Sequence, residues 1–256
     1  MKGRVVPLLF LVVLWTVSIH FALAQSSETA VPSVNQILAN YVAAIGGRDA
    51  ITKITSCVSK GTIEVVGTPS AGTVESYAKA PNKYMSVITI PGYGEIRRCY
   101  TGTAAWVNGP ETGFQDLSGQ DLSSMQRSSD FYQVLDLAKL YPRLTLKDSQ
   151  DVAGHLAYLI EADPGDGTLR RMYFDPASGL LVRSDEEQGP ADTRQHTEIN
   201  IGDYRQQDGI KYPLTIGEMT TTTDGQTKQT VTLIVRLTEV HHNVPIDDAI
   251  FAKPQK

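Results

Sequence analysis

The chain has 256 residues, 41% of them hydrophobic and 20% charged, with a formal net charge of −5 at neutral pH. That acidic balance argues against nucleic acid as a partner and against attachment to anionic lipid surfaces through charge alone. The length suits a single domain once a short N-terminal segment is set aside.

That segment reads MKGRVVPLLFLVVLWTVSIHFALAQ. Lys2 and Arg4 supply a positive start, an apolar run follows, and Ala22-Leu23-Ala24 precedes Gln25, so residues 1–24 read as a secretory signal with an A-x-A cleavage site. The competing reading is a retained anchor, since residues 5–23 nearly reach membrane-spanning length. Pro7, Thr16, Ser18 and His20 interrupt the run and favour cleavage. No cysteine follows the site, so no lipoprotein-type anchor is expected on this chain. Removing Lys2 and Arg4 from the 23 basic residues leaves 21 against 28 acidic ones over residues 25–256. No later apolar run approaches membrane-spanning length. The expectation is one exported, periplasmic domain over residues 25–256 with no transmembrane segment.

Residues 33–47 carry the clearest helical pattern. Val34, Ile37, Leu38, Tyr41, Val42 and Ile45 form one apolar stripe. Ser33 with Gln36 three residues on matches a capping box, and Gly46-Gly47 supplies the left-handed stop. A short helical turn is expected over 48–54. From Ser56 the period changes to two. Strands are expected at 57–66, 72–80, 84–90, 94–100 and 104–108, then at 143–148, 155–162, 168–174, 179–185, 193–203, 210–219 and 228–240. Turn-forming stretches such as Pro81-Asn82, Pro164-Gly165-Asp166-Gly167 and Gln207-Asp208-Gly209 separate them. Between the two sets lie two amphipathic helices, 119–127 and 130–140, which cannot continue a sheet's ladder and are better placed across its face. The fold class is therefore mainly β: a single curved antiparallel meander with an N-terminal helix and two short covering helices.

Strand 228–240 alternates cleanly, with Val231, Leu233, Val235 and Leu237 on one face and threonines and Arg236 on the other. Strands 84–90 and 155–162 are apolar on both faces. A curled sheet under helices encloses either a filled core or a ligand cavity, and the pattern leaves both open. Arg97-Arg98 places one guanidinium on each face. Arg98 shares parity with Ile96 and Tyr100, so it is expected to point inward as a latch or a headgroup contact, or else to sit in a salt bridge at the rim. Cys57 and Cys99 fall on strands with two others between them, about 14 Å apart in a flat meander at ~4.8 Å per strand. Strong curling or a non-sequential strand order is needed before they could pair, and a bridge stays open. No G-x-S-x-G, phosphate loop, H-E-x-x-H or C-x-x-C occurs. His241-His242 point to opposite faces, Asp163 and Asp166 suit a turn, and Glu186-Glu187 read as solvated surface. No metal, cofactor or catalytic group is expected.

The stretch Tyr77-Ala78-Lys79-Ala80-Pro81-Asn82-Lys83-Tyr84, followed by Gly102-Thr103-Ala104-Ala105-Trp106 with Asn108 and Pro110, resembles the outer-membrane lipoprotein carrier (LolA-like) superfamily. Tyr173-Phe174-Asp175 with Gly179-Leu180-Leu181 resembles a later hairpin of related exported proteins. The resemblance spans roughly residues 33–250 and implies an incomplete β-barrel with a helical lid over an apolar cavity. It departs at Ala80, where the carrier has a lid-latching arginine, and at Thr101, where it has an acidic residue. The function so implied is a non-enzymatic carrier for a hydrophobic small molecule or a lipoprotein acyl chain. Ile63, Val65, Tyr84, Ile88, Ile90, Trp106, Met172 and Phe174 are the expected lining, with Leu122, Met125 and Phe131 on the lid. The alternative is a cell-envelope interaction module with a filled core, a protein partner and no ligand.

Overall fold

The computed structural model describes residues 31–254 except 191. The segment read as a signal lies outside them, and no described helix is long and apolar enough to cross a membrane. Helix α1 (Val34–Ala44) opens with the expected capping box: Ser33 Oγ accepts from Gln36 N, and Gln36 returns the bond to Ser33 N. Helix α2 (Arg48–Ile51) follows at once.

The meander then runs through β1 (Ser56–Val65), β2 (Ala71–Lys79), β3 (Lys83–Ile90), β4 (Gly94–Tyr100), β5 (Ala105–Gly109) and β6 (Gly113–Asp116). Helices α3 (Gly119–Ser128) and α4 (Gln133–Leu140) lead to the second set. This comprises β7 (Arg143–Val152), β8 (His155–Asp163), β9 (Leu169–Phe174), β10 (Leu181–Gln188), β11 (Gln195–Gln207), β12 (Ile210–Asp224) and β13 (Thr227–His242). Strand β6 is the one strand that the alternation pattern missed, and a 3-10 turn at Asp248–Phe251 was not expected either. With only four residues, Gly113–Asp116, the strand is too short to show a period.

All thirteen strands form one antiparallel sheet in the order β6-β5-β4-β3-β2-β1-β13-β12-β11-β10-β9-β8-β7. The first and last strands pair with each other, so the free edges are β6 and β7 in mid-chain, and the connection between them is the helical one. Bulges at Lys60/Gly61, Lys147/Gln150 and Leu181/Arg183 add local bends. At the first of these the strands approach so closely that a Cβ on Gly61 would lie 2.2 Å from Arg236 O. Only glycine fits there.

One face of β7–β10 carries the main core. Ile160, Ala162, Met172 and Phe174 are buried against Ile37, Tyr41 and Ile45 of the α1 stripe and Leu137 of α4. Tyr41 and Phe174 rings lie 5.3 Å apart. The end of α1 is fixed by Lys211 N donating to Ile45 O at 2.8 Å. Helix α4 thus fills the curl, whereas α3 buries no residue at all.

The opposite face carries a second core. Met85, Cys99 and Trp106 are covered by Phe251 of the C-terminal segment, with Tyr77, Val87, Phe114, Ile246 and Ile250 around them. Asp248 pairs with Lys79 and Lys83, and Lys253 with Asp116.

Candidate functional site

Strand register fixes which side chains share the inner face. Ser86 opposes Arg98, and Arg98 opposes Val107. At the other end of the sheet Leu233 opposes Glu218, Glu218 opposes Ile199, and Thr197 opposes Glu186. Residues from β4–β5 and from β10–β13 nevertheless line one common cavity of about 600 Å³, roofed by α3. Strands far apart in the sheet order can meet around one space only if the sheet is curled. The volume lies within the range of ordinary ligand sites.

The cavity wall is mixed. Val107, Leu117, Met125, Ile199, Val231 and Leu233 supply its apolar part. Arg98, Asp121, Glu186 and Glu218 bring charge, and serines, threonines and glutamines fill the spaces between them. Val231 is 51% exposed, which leaves an apolar edge open at the mouth.

The roof is held by polar bonds. Arg127 of α3 pairs with Asp166 Oδ2 at 2.5 Å, donates to Thr168 Oγ1 at 2.9 Å and stacks over the Tyr141 ring. Gln120 donates to Asp166 O at 2.9 Å and accepts from Gly189 N at 3.2 Å. Ser124 donates to Glu186, and Gln188 reaches Asp121 at 3.4 Å. Burial by itself would raise the Asp166 carboxyl, but bonds from Thr168 and from Arg127 hold it below the usual carboxylate range. The turn at Pro81 joins this assembly through Phe131 N, which donates to Pro81 O at 3.0 Å.

Of the expected lining residues, Met125 stands on this cavity wall. Ile63, Val65, Tyr84, Ile88 and Ile90 occupy the same inner face by register, but the cavity is centred beyond them. Met172 and Phe174 are on that face too, where α1 covers them. Leu122 and Phe131 are half-buried on and after α3. Trp106 requires correction. Its partner Cys99 faces away from the cavity, and Trp106 belongs to the second core beneath Phe251. Arg98 does point inward as its parity required, and Arg97 pairs with Glu95 on the other face.

The candidate disulfide is also corrected. Both cysteines are free thiols, Cys57 on the inner face of β1 and Cys99 on the outer face of β4. Burial pushes the Cys57 thiol up to about 11 and the Cys99 thiol up to about 12. Both therefore stay protonated at neutral pH, where thiolate chemistry is slow. Iodoacetamide should label the folded chain slowly, and the denatured chain should titrate both thiols without reductant. A lower count would mean that they pair.

Sequence reading missed Glu218, Glu186, Asp121 and Arg127. Glu218 had a visible signal, because it interrupts the parity of Ile216 on a strand whose neighbours are apolar. Asp166 read as a turn former, and its pairing with Arg127 across 39 positions has no local signature. A second concavity, about 790 Å³, lies mainly on the outer side of β8–β13, where Ala157, Val182, Gly202, Gly217 and Ile234 form a shallow trough. No helix roofs it.

No protein-family model matches this chain, and no curated protein does. The fold, one antiparallel sheet of thirteen strands that does not close into a barrel, is similar to that of solved structures. Two solved structures carry the likeness. A DUF1329 family protein from Desulfovibrio piger shares 15% identity over 87% of this chain and 98% of its own, with a TM-score of 0.54. A LolA superfamily protein from Nitrosomonas europaea shares 12% identity over 87% of this chain and 99% of its own, also at 0.54.

Proposed function

We propose that this chain is an exported, periplasmic, non-enzymatic binding or carrier protein that shelters a hydrophobic ligand, a lipid or a lipoprotein acyl chain, in the cavity beneath α3. The observation that carries this reading is the space of about 600 Å³ between β4–β5, β10–β13 and α3, with apolar side chains on its floor and on its roof. Burying an acyl chain there is worth about 0.8 kcal/mol per CH₂, which is the physical basis of shuttling such a chain through water. A space of this size also disfavours the alternative of a filled interaction module. The LolA-type fold supports the reading by analogy of architecture.

Displacement of a fluorescent fatty-acid probe, together with native mass spectrometry after gentle purification, tests it. Saturable one-to-one binding and a co-purifying lipid are the expected results. Neither bound lipid nor saturable probe binding would sink the idea.

A further inference from the structure

The two charges on the facing walls of the cavity are not matched to one another. Arg98, on β4, lines the cavity with its side chain still exposed to water, and it makes no ion pair or side-chain hydrogen bond among the described residues. Glu218, on β12, stands between Leu233 and Ile199 and accepts only one long bond, from Thr220 Oγ1 at 3.3 Å. The other two carboxylates are better served. Glu186 accepts from Ser124 and lies opposite Arg170 across β9–β10, while Asp121 accepts from Gln188. Tyr84 shares the inner face with both: burial pushes its phenol up, Ser86 and then Arg98 draw it down, and Glu218 pushes it up again.

A charge in a partly apolar wall favours a ligand that brings the opposite charge, because desolvating it unpaired is costly. An anionic head would satisfy Arg98 but face Glu218, Glu186 and Asp121. A cationic head would satisfy Glu218 but face Arg98. A head carrying both charges satisfies both walls, and its chain can lie against Val107, Met125, Ile199 and Leu233. Resting on the carrier reading above, we infer that the cavity takes a zwitterionic amphiphile, its ammonium at Glu218 and its acidic oxyanion at Arg98.

Calorimetric titration with four twelve-carbon probes below their micelle concentrations tests this: dodecylphosphocholine, dodecylamine, dodecanoate and dodecanol. Dodecylphosphocholine should bind about tenfold more tightly than any of the others, the size expected for one added contact between opposite charges in a partly desolvated wall. Glu218→Gln should weaken dodecylphosphocholine and dodecylamine and spare dodecanoate and dodecanol. Arg98→Gln should weaken dodecylphosphocholine and dodecanoate and spare the other two. Equal affinity across the four heads, or losses that do not follow head charge, overturns the inference and leaves the carrier reading standing. Failure of every probe, dodecanol included, overturns the carrier reading as well. The comparison of heads on the unsubstituted chain holds even if a variant folds poorly. Uptake from phosphatidylethanolamine vesicles, set beside uptake of the monomeric probe, separates a membrane phospholipid from a soluble amphiphile; either source keeps the charge assignment.

Discussion

Replacing Phe251 by alanine should destabilise the domain by about 3–5 kcal/mol, the usual range for truncating a buried phenylalanine. Phe251 is 2% exposed and closes the outer core over Met85, Cys99 and Trp106. The C-terminal segment is irregular apart from one 3-10 turn, so it has no sheet ladder to hold it, and the aromatic side chain is its main apolar anchor. The ion pairs around it are exposed, with Lys253 and Asp116 side chains at 51% and 63%, and such pairs contribute about 0–1 kcal/mol. Lys253→Ala should accordingly shift the urea midpoint little while Phe251→Ala shifts it greatly. In a chain beginning at Gln25, Trp106 is the sole tryptophan, and its emission should move to the red in Phe251→Ala as water reaches the indole. Equal effects of the two substitutions would mean that the tail is held by charge, contrary to the packing described here.

This outer core explains much of what the sequence did and did not disclose. Alternation assigned the strands, and the stripe from Val34 to Ile45 with its Ser33/Gln36 box assigned α1, because these are local patterns with a fixed period. Parity also placed Arg98 on the inside. The side of Trp106 could not be read in the same way. It depends on pairing with Cys99 and on a tail that meets β5 only after the whole chain has curled. A large aromatic in a strand points to a core, and here there are two cores on opposite faces. Met172 and Phe174 illustrate a related gap: their face was legible, but whether that face meets a ligand or a helix depends on where α1 docks. The charged wall was the least legible part. Glu186, Glu218 and Arg127 each look like surface residues until register brings them around one space.

Arg127→Ala should release α3 without unfolding the domain. Helix α3 buries none of its residues, so its position rests on polar bonds, and Arg127 makes the strongest of them, with side chains of Arg127 and Asp166 only 11% and 26% exposed. A hydrogen bond to a charged partner is worth about 1.5–3 kcal/mol, which corresponds to roughly a 10–100-fold rise in amide exchange over residues 119–128 after correction for intrinsic rates. Exchange in β8, β9 and α1 should stay unchanged. Arg127→Lys should recover only part of the protection, since an ammonium cannot reach Asp166 and Thr168 with one planar fork. Acid should act through the same pair. Asp166 is held below its unfolded value of about 3.9, so its contribution is fully present above that pH and is lost as pH falls through the lower folded value. Protection of α3 should therefore be flat from neutrality to about pH 4 and decline below it, while Arg127→Ala should show much less of that decline. Because α3 roofs the cavity, a ligand held there should leave faster from Arg127→Ala with little change in which ligands bind. An α3 that stays protected in the variant would place its anchor elsewhere, most directly at Gln120, whose bonds to Asp166 O and Gly189 N use backbone atoms of the two hairpin turns and do not titrate.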